Sequence, residues 1–119
     1  MDKANPIRDK SFAFALRVIK LSKKLRAEDK EFVLSKQILG SGTSIGANIE
    51  EALQGQSRKD FIAKLSIALK EIYETRYWLR LLHGSELLTK ALFNSFMQDL
   101  EELRRILIAI IKTSKGKSD

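Results

Sequence analysis

Apolar residues recur every three or four positions through most of the chain, a spacing that places them along one side of an α-helix. Signals of strands are almost absent, because no segment sustains an alternation of period two and no Asn-Gly or Asp-Gly pair marks a hairpin turn. At 119 residues the chain can bury one core without disulfides or metal. We therefore predict a single all-α domain, 1–119, folded as an antiparallel up-down-up-down four-helix bundle.

Capping and breaker residues divide this pattern into four helices. Asn5 followed by Pro6, the single proline, indicates where the first helix begins. Asp29 and Ser85 are the predicted N-caps of the second and fourth helices, and Ser57 opens a Ser-x-x-Asp capping sequence before the third. The predicted helices span 6–26, 29–54, 58–83 and 86–113, with Gly84 just past the third and a frayed tail at 114–119.

Three glycines make the second helix the hardest to assign. Gly40, Gly42 and Gly46 each cost about 1 kcal/mol relative to alanine inside a helix, so a loop near 40–43 is the competing interpretation. Isoleucines at helical spacing continue on both sides, however, and Gly42 and Gly46 lie one turn apart. Such a pair lets a second helix approach closely. We predict one continuous helix.

Some apolar residues exceed what one buried stripe needs. Tyr77 and Trp78 stand beside leucines at helical spacing, which is typical of core or subunit-interface positions, and we take them as candidate oligomer contacts. The first helix carries two apolar rows, from which we expect a broad buried face. These rows are Phe12, Ala15, Leu16 and Ile19, and Phe14, Val18, Leu21 and Leu25.

Composition excludes several kinds of chemistry. The chain has no cysteine, so it cannot form disulfides, zinc-cysteine sites or thiol nucleophiles, and a reducing cytoplasm is the expected compartment. No signal peptide or membrane-spanning run is predicted. His83 is the single histidine, without the Glu-x-x-His pairing of a di-iron bundle, and suits a helix C-terminus. We expect no enzyme, metal, cofactor, small-molecule substrate or membrane partner.

Basic residues outnumber acidic ones, 22 to 15, for a formal net charge of +7 that favours polyanionic partners. In the first helix Lys10, Arg17 and Lys24 repeat at intervals of seven, and Lys20 and Lys23 extend the same region. An ordinary solvated helix face explains this pattern equally well. The candidate nucleic-acid-binding residues are Arg17, Lys20, Lys24, Arg76 and Arg80.

Polar residues of the second and third helices allow two interpretations. Asn48 and Glu51 lie three residues apart, and Glu74 is followed by Thr75. They form either a solvated edge or a hydrogen-bonded set between the two helices that includes Arg58 and fixes their register. Neither interpretation makes an enzyme.

Three segments resemble one bacterial family. They are Gln-Ile-Leu-Gly-Ser-Gly-Thr-Ser-Ile-Gly-Ala-Asn-Ile-Glu-Glu-Ala over 37–52, Ser-Arg-Lys-Asp-Phe over 57–61, and 65–79, which contains Glu-Thr-Arg-Tyr-Trp-Leu. Together the segments are similar to the four helix bundle protein family, also called the 23S rRNA-intervening sequence protein family. The resemblance covers nearly the whole chain. It marks Asn48, Glu51, Arg58, Glu74 and Thr75 as characteristic family positions with an architectural role.

The resemblance implies an antiparallel four-helix bundle that assembles as a homopentamer. Family members are encoded within intervening sequences of large-subunit ribosomal RNA genes. A similar protein, the accessory protein of diversity-generating retroelements, is a basic pentamer that engages nucleic acid and a reverse transcriptase. We therefore expect a homo-oligomer that binds RNA or DNA, with a protein such as a reverse transcriptase as a further partner. The alternative is a protein-interaction scaffold with no nucleic-acid role.

Overall fold

The computed structural model describes residues 5–116, which fold as a four-helix bundle and contain no strand. The helices are α1 (Pro6–Glu28), α2 (Leu34–Leu53), α3 (Arg58–Gly84) and α4 (Lys90–Lys115). The connections over 29–33, 54–57 and 85–89 are short, as is typical of antiparallel neighbours in bundles. Consecutive helices pack along their lengths, whereas α1 and α4, the first and the last, have the sparsest contact.

One hydrophobic core runs through the bundle. Phe14 meets Phe96 edge to face across it, with ring centroids 6.0 Å apart. Only the second of the two predicted rows on α1 is fully buried, because Phe12 and Leu16 of the first row are 62% and 54% exposed. The prediction of a broad buried face on this helix is therefore wrong in part. The largest fully buried side chains are Phe14, Leu25, Ile38, Ile45, Ile49, Leu65, Ile72, Leu79, Leu82, Leu100, Leu103 and Leu107.

The second helix is continuous through its three glycines, as predicted. A Cβ atom built on Gly42 would lie 2.8 Å from both γ-methyl groups of Val18, so α1 and α2 approach more closely there than any side chain would allow. A Cβ atom built on Gly46 would lie an ordinary 3.5 Å from Ser11, and one built on Gly40 would meet nothing within 4 Å. The close approach therefore depends on Gly42.

Two predicted caps are confirmed. Asn5 Oδ1 accepts a hydrogen bond from Arg8 N at 3.1 Å, and Pro6 occupies the first helical position of α1. Ser57 Oγ accepts one from Asp60 N at 3.0 Å at the start of α3.

Asp29 was wrongly predicted as the N-cap of the second helix. It is the C-cap of α1, and Lys30 follows it in the left-handed conformation with φ of 54°. α2 begins five residues later than predicted, at Leu34, and the Glu31 carboxylate accepts from Ser35 N at 2.9 Å. The N-cap residue, Val33, makes no side-chain cap hydrogen bond, and the side chain of Glu31, two residues before it, accepts from the first turn of α2 instead.

Ser85 was also wrongly predicted, as the N-cap of the fourth helix. It is the C-cap of α3, which includes Gly84, and Glu86 adopts the left-handed conformation with φ of 66°. Leu87 N donates to Leu82 O at 2.9 Å, completing a Schellman motif. Thr89 caps α4 instead, which therefore begins at Lys90 rather than at 86.

The predicted frayed tail is corrected in part. α4 continues to Lys115, two residues past the predicted end at 113, and the backbone N–H of Gly116 donates to Lys112 O at 3.1 Å. Basic residues in this last turn, Lys112 and Lys115, favour the helix C-terminus electrostatically. Residues 117–119 lie outside the described residues.

We predict that Gly42→Ala destabilises the protein by about 1–3 kcal/mol, because the new methyl group collides with Val18, a stiff β-branched side chain in the core. The matched control is Gly40→Ala on the same helix, where the methyl group meets nothing. It should stabilise by roughly 0.5–1 kcal/mol through helix propensity. Urea unfolding followed by circular dichroism measures both. Equal effects of the two substitutions would contradict the close approach at Gly42.

Candidate nucleic-acid interface

A cleft of about 330 Å³ opens between α1 and α4, which have the sparsest contact of the four packed helix pairs. Three of the five predicted nucleic-acid-binding residues, Arg17, Lys20 and Lys24, line it. They share the same side of α1 because they are spaced three, four and seven residues apart. The remaining walls are apolar and are formed by Leu21, Leu92 and Phe96.

Arg17 is held in place by α4. Its Nη1 donates to Asp99 Oδ2 at 2.6 Å, and its Nη2 donates to Ser95 Oγ at 3.1 Å. The guanidinium carbon lies 4.1 Å from the centroid of the Phe96 ring, at cation–π distance. The Asp99 carboxylate offsets the charge of Arg17, so this residue is less available to a phosphate than its position in the sequence indicates.

Lys20, Lys23 and Lys24 differ from Arg17 in that all three are exposed and their side chains make no ion pair or hydrogen bond with any other residue among 5–116. Lys10, at the other end of the same helix, pairs with Glu102 at 3.3 Å. The positive charge of α1 is therefore offset by α4 over its N-terminal half and left uncompensated over its C-terminal half.

The other two candidate residues, Arg76 and Arg80, lie on α3 and do not line the cleft. Arg76 borders a separate cavity of about 50 Å³ beside Glu101 and Arg104, and its guanidinium carbon lies 5.0 Å from the Tyr73 ring centroid. Hydrogen bonds from Arg104 lower the pKa of Glu101, which keeps this carboxyl ionised near Arg76. The cations of α1 and Arg76 of α3 thus line two grooves that share no lining residue, and Arg80 lines neither of them.

Sequence reasoning missed Asp99, Ser95 and the contact of the buried Phe96 ring with Arg17. Arg17 and Asp99 are 82 positions apart, and no local pattern pairs them. The available signal was that Phe96 and Asp99 lie three residues apart on one helix, which places an aromatic ring and a carboxylate side by side.

Of the five family-motif positions, Thr75 alone is fully buried. Its hydroxyl donates to Glu71 O at 2.8 Å and lies at hydrogen-bond distance, 2.9 Å, from Ser41 Oγ on α2. Thr75 and Ser41 therefore form a buried polar contact between α2 and α3.

Glu71, whose backbone carbonyl accepts from Thr75, has a half-buried carboxyl. Burial, reinforced by the nearby Glu74 carboxylate, raises the pKa of Glu71.

The other motif positions lie at the edge of the bundle. Asn48 donates to Ser44 O within α2, at 2.8 Å. Glu51 forms an ion pair with Lys64 across the α2 and α3 pair, at 3.2 Å. Glu74 accepts a hydrogen bond from Trp78 Nε1 at 3.3 Å, and Arg58 is the half-buried first residue of α3.

Several apolar side chains of α3 are exposed, and we call them the α3 patch. Tyr77, a predicted interface residue, is 50% exposed, whereas Trp78 is half-buried and packs against the core. Their ring centroids are 5.1 Å apart. The α3 patch consists of Ile67, Tyr73, Tyr77 and Leu81.

Within residues 5–116 no group of three or more His, Cys, Asp or Glu side chains could hold a metal ion. His83 lies in the last turn of α3, where its ring stacks on Phe93 with centroids 4.5 Å apart. Over the same described range, every helix is too short or too polar to cross a membrane.

These features define a basic four-helix bundle with a cation-lined cleft between its first and last helices. The model of the family described as 23S rRNA-intervening sequence protein matches residues 3–109, and the chain belongs to this family. A comparison with curated proteins gives no match.

The chain is also similar to a protein with unknown function from the S23 ribosomal protein family of Bacteroides thetaiotaomicron VPI-5482, whose crystal structure was determined at 1.70 Å. The two sequences are 57% identical, and the match covers 89% of this chain and 98% of the other. The TM-score is 0.88, so the two proteins share the fold along nearly their whole length.

We predict that Thr75→Val destabilises the protein by about 1–2 kcal/mol, because it leaves the buried Ser41 hydroxyl without this partner. Adding Ser41→Ala should recover part of the loss, since both polar groups are then removed. A double-mutant cycle of unfolding free energies measures the coupling. Strictly additive effects would show that the two hydroxyls do not interact.

Proposed function

We propose that this protein is a non-enzymatic, cytoplasmic, basic helical bundle that forms a homo-oligomer, a pentamer, and binds RNA or DNA without sequence specificity. The proposal depends on Lys20 and Lys24, which line a cleft on the less closed side of the bundle and have no ion-pair partner among residues 5–116. Lysine ammonium groups on flexible stems bind phosphates as point charges and carry no base readout.

The charge distribution supports a polyanionic partner. The formal net charge is +7, and the carboxylates of α4 offset Lys10 and Arg17 but not the C-terminal half of α1. Binding of phosphates to such a surface releases counterions and weakens as salt rises. The family description, which links its members to intervening sequences of 23S rRNA, supports the same class of partner.

Two exposed apolar regions support self-association. The α3 patch lies on α3, and Phe12 and Leu16 are exposed on α1. A closed ring needs two different complementary faces on every chain, which such a pair of regions supplies. Five copies of a chain with a net charge of +7 would create a positive field that one copy lacks.

The second candidate function is a protein-interaction scaffold without nucleic acid. It is favoured by the same apolar regions, since exposed aromatic and aliphatic side chains of this size are typical of protein interfaces. The two functions differ in one measurable property, which is salt-dependent binding to nucleic acid.

We expect the double variant Lys20→Glu/Lys24→Glu to lose binding to a labelled, non-specific RNA by about tenfold or more at low salt, measured by fluorescence anisotropy. The slope of log affinity against log salt should also become less steep, by roughly 0.7 to 0.9 for each phosphate contact removed. The reason is that both lysines are without a carboxylate partner among residues 5–116.

The matched control is Lys36→Glu/Lys59→Glu, which makes the same change in net charge at two exposed positions away from the cleft. It should reduce binding far less than the cleft variant does. If the two double variants weaken binding equally, net charge alone governs the interaction. If the unchanged protein does not bind RNA or DNA at low salt, the scaffold function replaces the proposed one.

For self-association we expect Tyr77→Glu to reduce the mass measured by light scattering, from about five chains of 13.6 kDa toward smaller species. A buried carboxylate in an apolar contact is costly, which is why one substitution suffices. Ile108→Glu, an exposed apolar position on α4, is the control and should leave the mass unchanged. A monomeric unchanged protein would contradict the oligomer.

A further inference from the structure

We propose that the cleft between α1 and α4 receives one unpaired nucleotide of a single strand, with its base stacked on the Arg17 guanidinium and its phosphates bound by Lys20 and Lys24. This rests on the proposed function, because it names the part of the nucleic acid that the positive cleft accepts. The base and phosphate chemistry is shared by RNA and DNA.

Arg17 has the geometry of a stacking platform. Its guanidinium carbon lies over the Phe96 ring, 4.1 Å from the ring centroid, and hydrogen bonds to Asp99 and Ser95 hold the group in place. The side chain is still 33% exposed and lines the cleft, so part of it is accessible to a ligand. Bases stack on guanidinium planes, and a plane already held loses little freedom on binding.

The same contacts separate the task of Arg17 from that of the lysines. Asp99 neutralises Arg17 and would repel a phosphate placed beside it, at the 2.6 Å ion pair. Lys20 and Lys24 line the cleft without such a carboxylate partner among residues 5–116. The cleft therefore offers a plane for a base and, separately, two charges for the backbone.

Size and lining favour an unpaired nucleotide over a duplex. The cleft volume of about 330 Å³ falls at the lower end of the range of about 300–1,000 Å³ for small-ligand sites. Its apolar walls, Leu21 and Leu92, suit the faces of a base rather than a hydrated phosphate. In a duplex the base is already stacked and paired, and extruding it costs a few kcal/mol.

The lining also explains why base identity should matter little. Its polar side chains are all cationic, and no amide or carboxylate side chain lines the cleft to read a base edge. Stacking tolerates every base because each has a π face. The site is accordingly one for single strands of any sequence.

The test uses Arg17→Lys, which keeps the positive charge and removes the plane. Anisotropy is measured with labelled single-stranded RNA, single-stranded DNA, an abasic oligomer of equal length and charge, and a duplex. We expect Arg17→Lys to weaken both single strands by about tenfold, the order of one lost base stack, and to leave the abasic oligomer unchanged. A 2-aminopurine placed in the strand should change fluorescence on binding to the unchanged protein only.

Two further variants complete the design. Arg105→Lys, an exposed position on α4 outside the cleft, is the matched control and should bind every probe as the unchanged protein does. Leu92→Trp fills the cleft from the opposite wall and should reproduce the loss seen with Arg17→Lys. Circular dichroism melting establishes that each variant is folded.

The outcomes separate this inference from the proposed function. Equal binding of abasic and base-containing strands, with no effect of Arg17→Lys and Leu92→Trp, overturns the base site, while a loss with Lys20→Glu/Lys24→Glu still supports nucleic-acid binding. Tighter binding of the duplex than of the single strand also overturns it. A loss with only one of the two polymers supports the site and assigns it to that polymer.

Discussion

The position of α1 depends on the contact between Val18 and Gly42. Because Gly42 has no side chain, the methyl groups of Val18 reach the backbone of α2. A Cβ atom at position 42 would lie only 2.8 Å from these methyl groups. The distance between two packed helices depends on the side chains at the contact, so Gly42 allows α1 to pack closer to α2. Contact with α4 is then sparse, and the bundle closes on three sides more completely than on the fourth. The cleft is a consequence of that uneven closure.

Besides the contact of Phe14 with Phe96, polar contacts join α1 to α4 on the open side. Arg17 reaches Asp99 and Ser95, and Lys10 reaches Glu102. Partly exposed ion pairs contribute only about 0–1 kcal/mol each, so they do not close the helices against one another. They do decide which charges remain available, because Asp99 and Glu102 of α4 each offset one cation of α1, Arg17 and Lys10. Lys20 and Lys24 lie C-terminal to Arg17, on the part of α1 that these carboxylates do not pair with.

Most of the fold could be predicted from the sequence, because helical periodicity and the caps at Asn5 and Ser57 are local signals. The errors at Asp29 and Ser85 share a cause: the left-handed residues that end α1 and α3 are Lys30 and Glu86, not the glycine or asparagine that such positions favour. The candidate site was harder to predict from the sequence. Its cations could be recognised by their spacing on one helix, whereas the partners of Arg17 come from a helix 78 and 82 positions away, and only the tertiary packing brings them together.

The surfaces proposed for assembly and for nucleic acid are separate. Neither the α3 patch nor the exposed pair Phe12 and Leu16 contributes a residue to the cleft lining. Leu16 lies one turn before Lys20 on α1, whereas the α3 patch lies on another helix. An oligomer that packs through the α3 patch would therefore leave the cleft lining accessible, and every protomer would present its own cleft. Sites linked in this way bind one strand at a high effective concentration, even when each cleft alone binds weakly. Weak, sequence-independent stacking at one cleft is thus compatible with stable binding by the whole assembly.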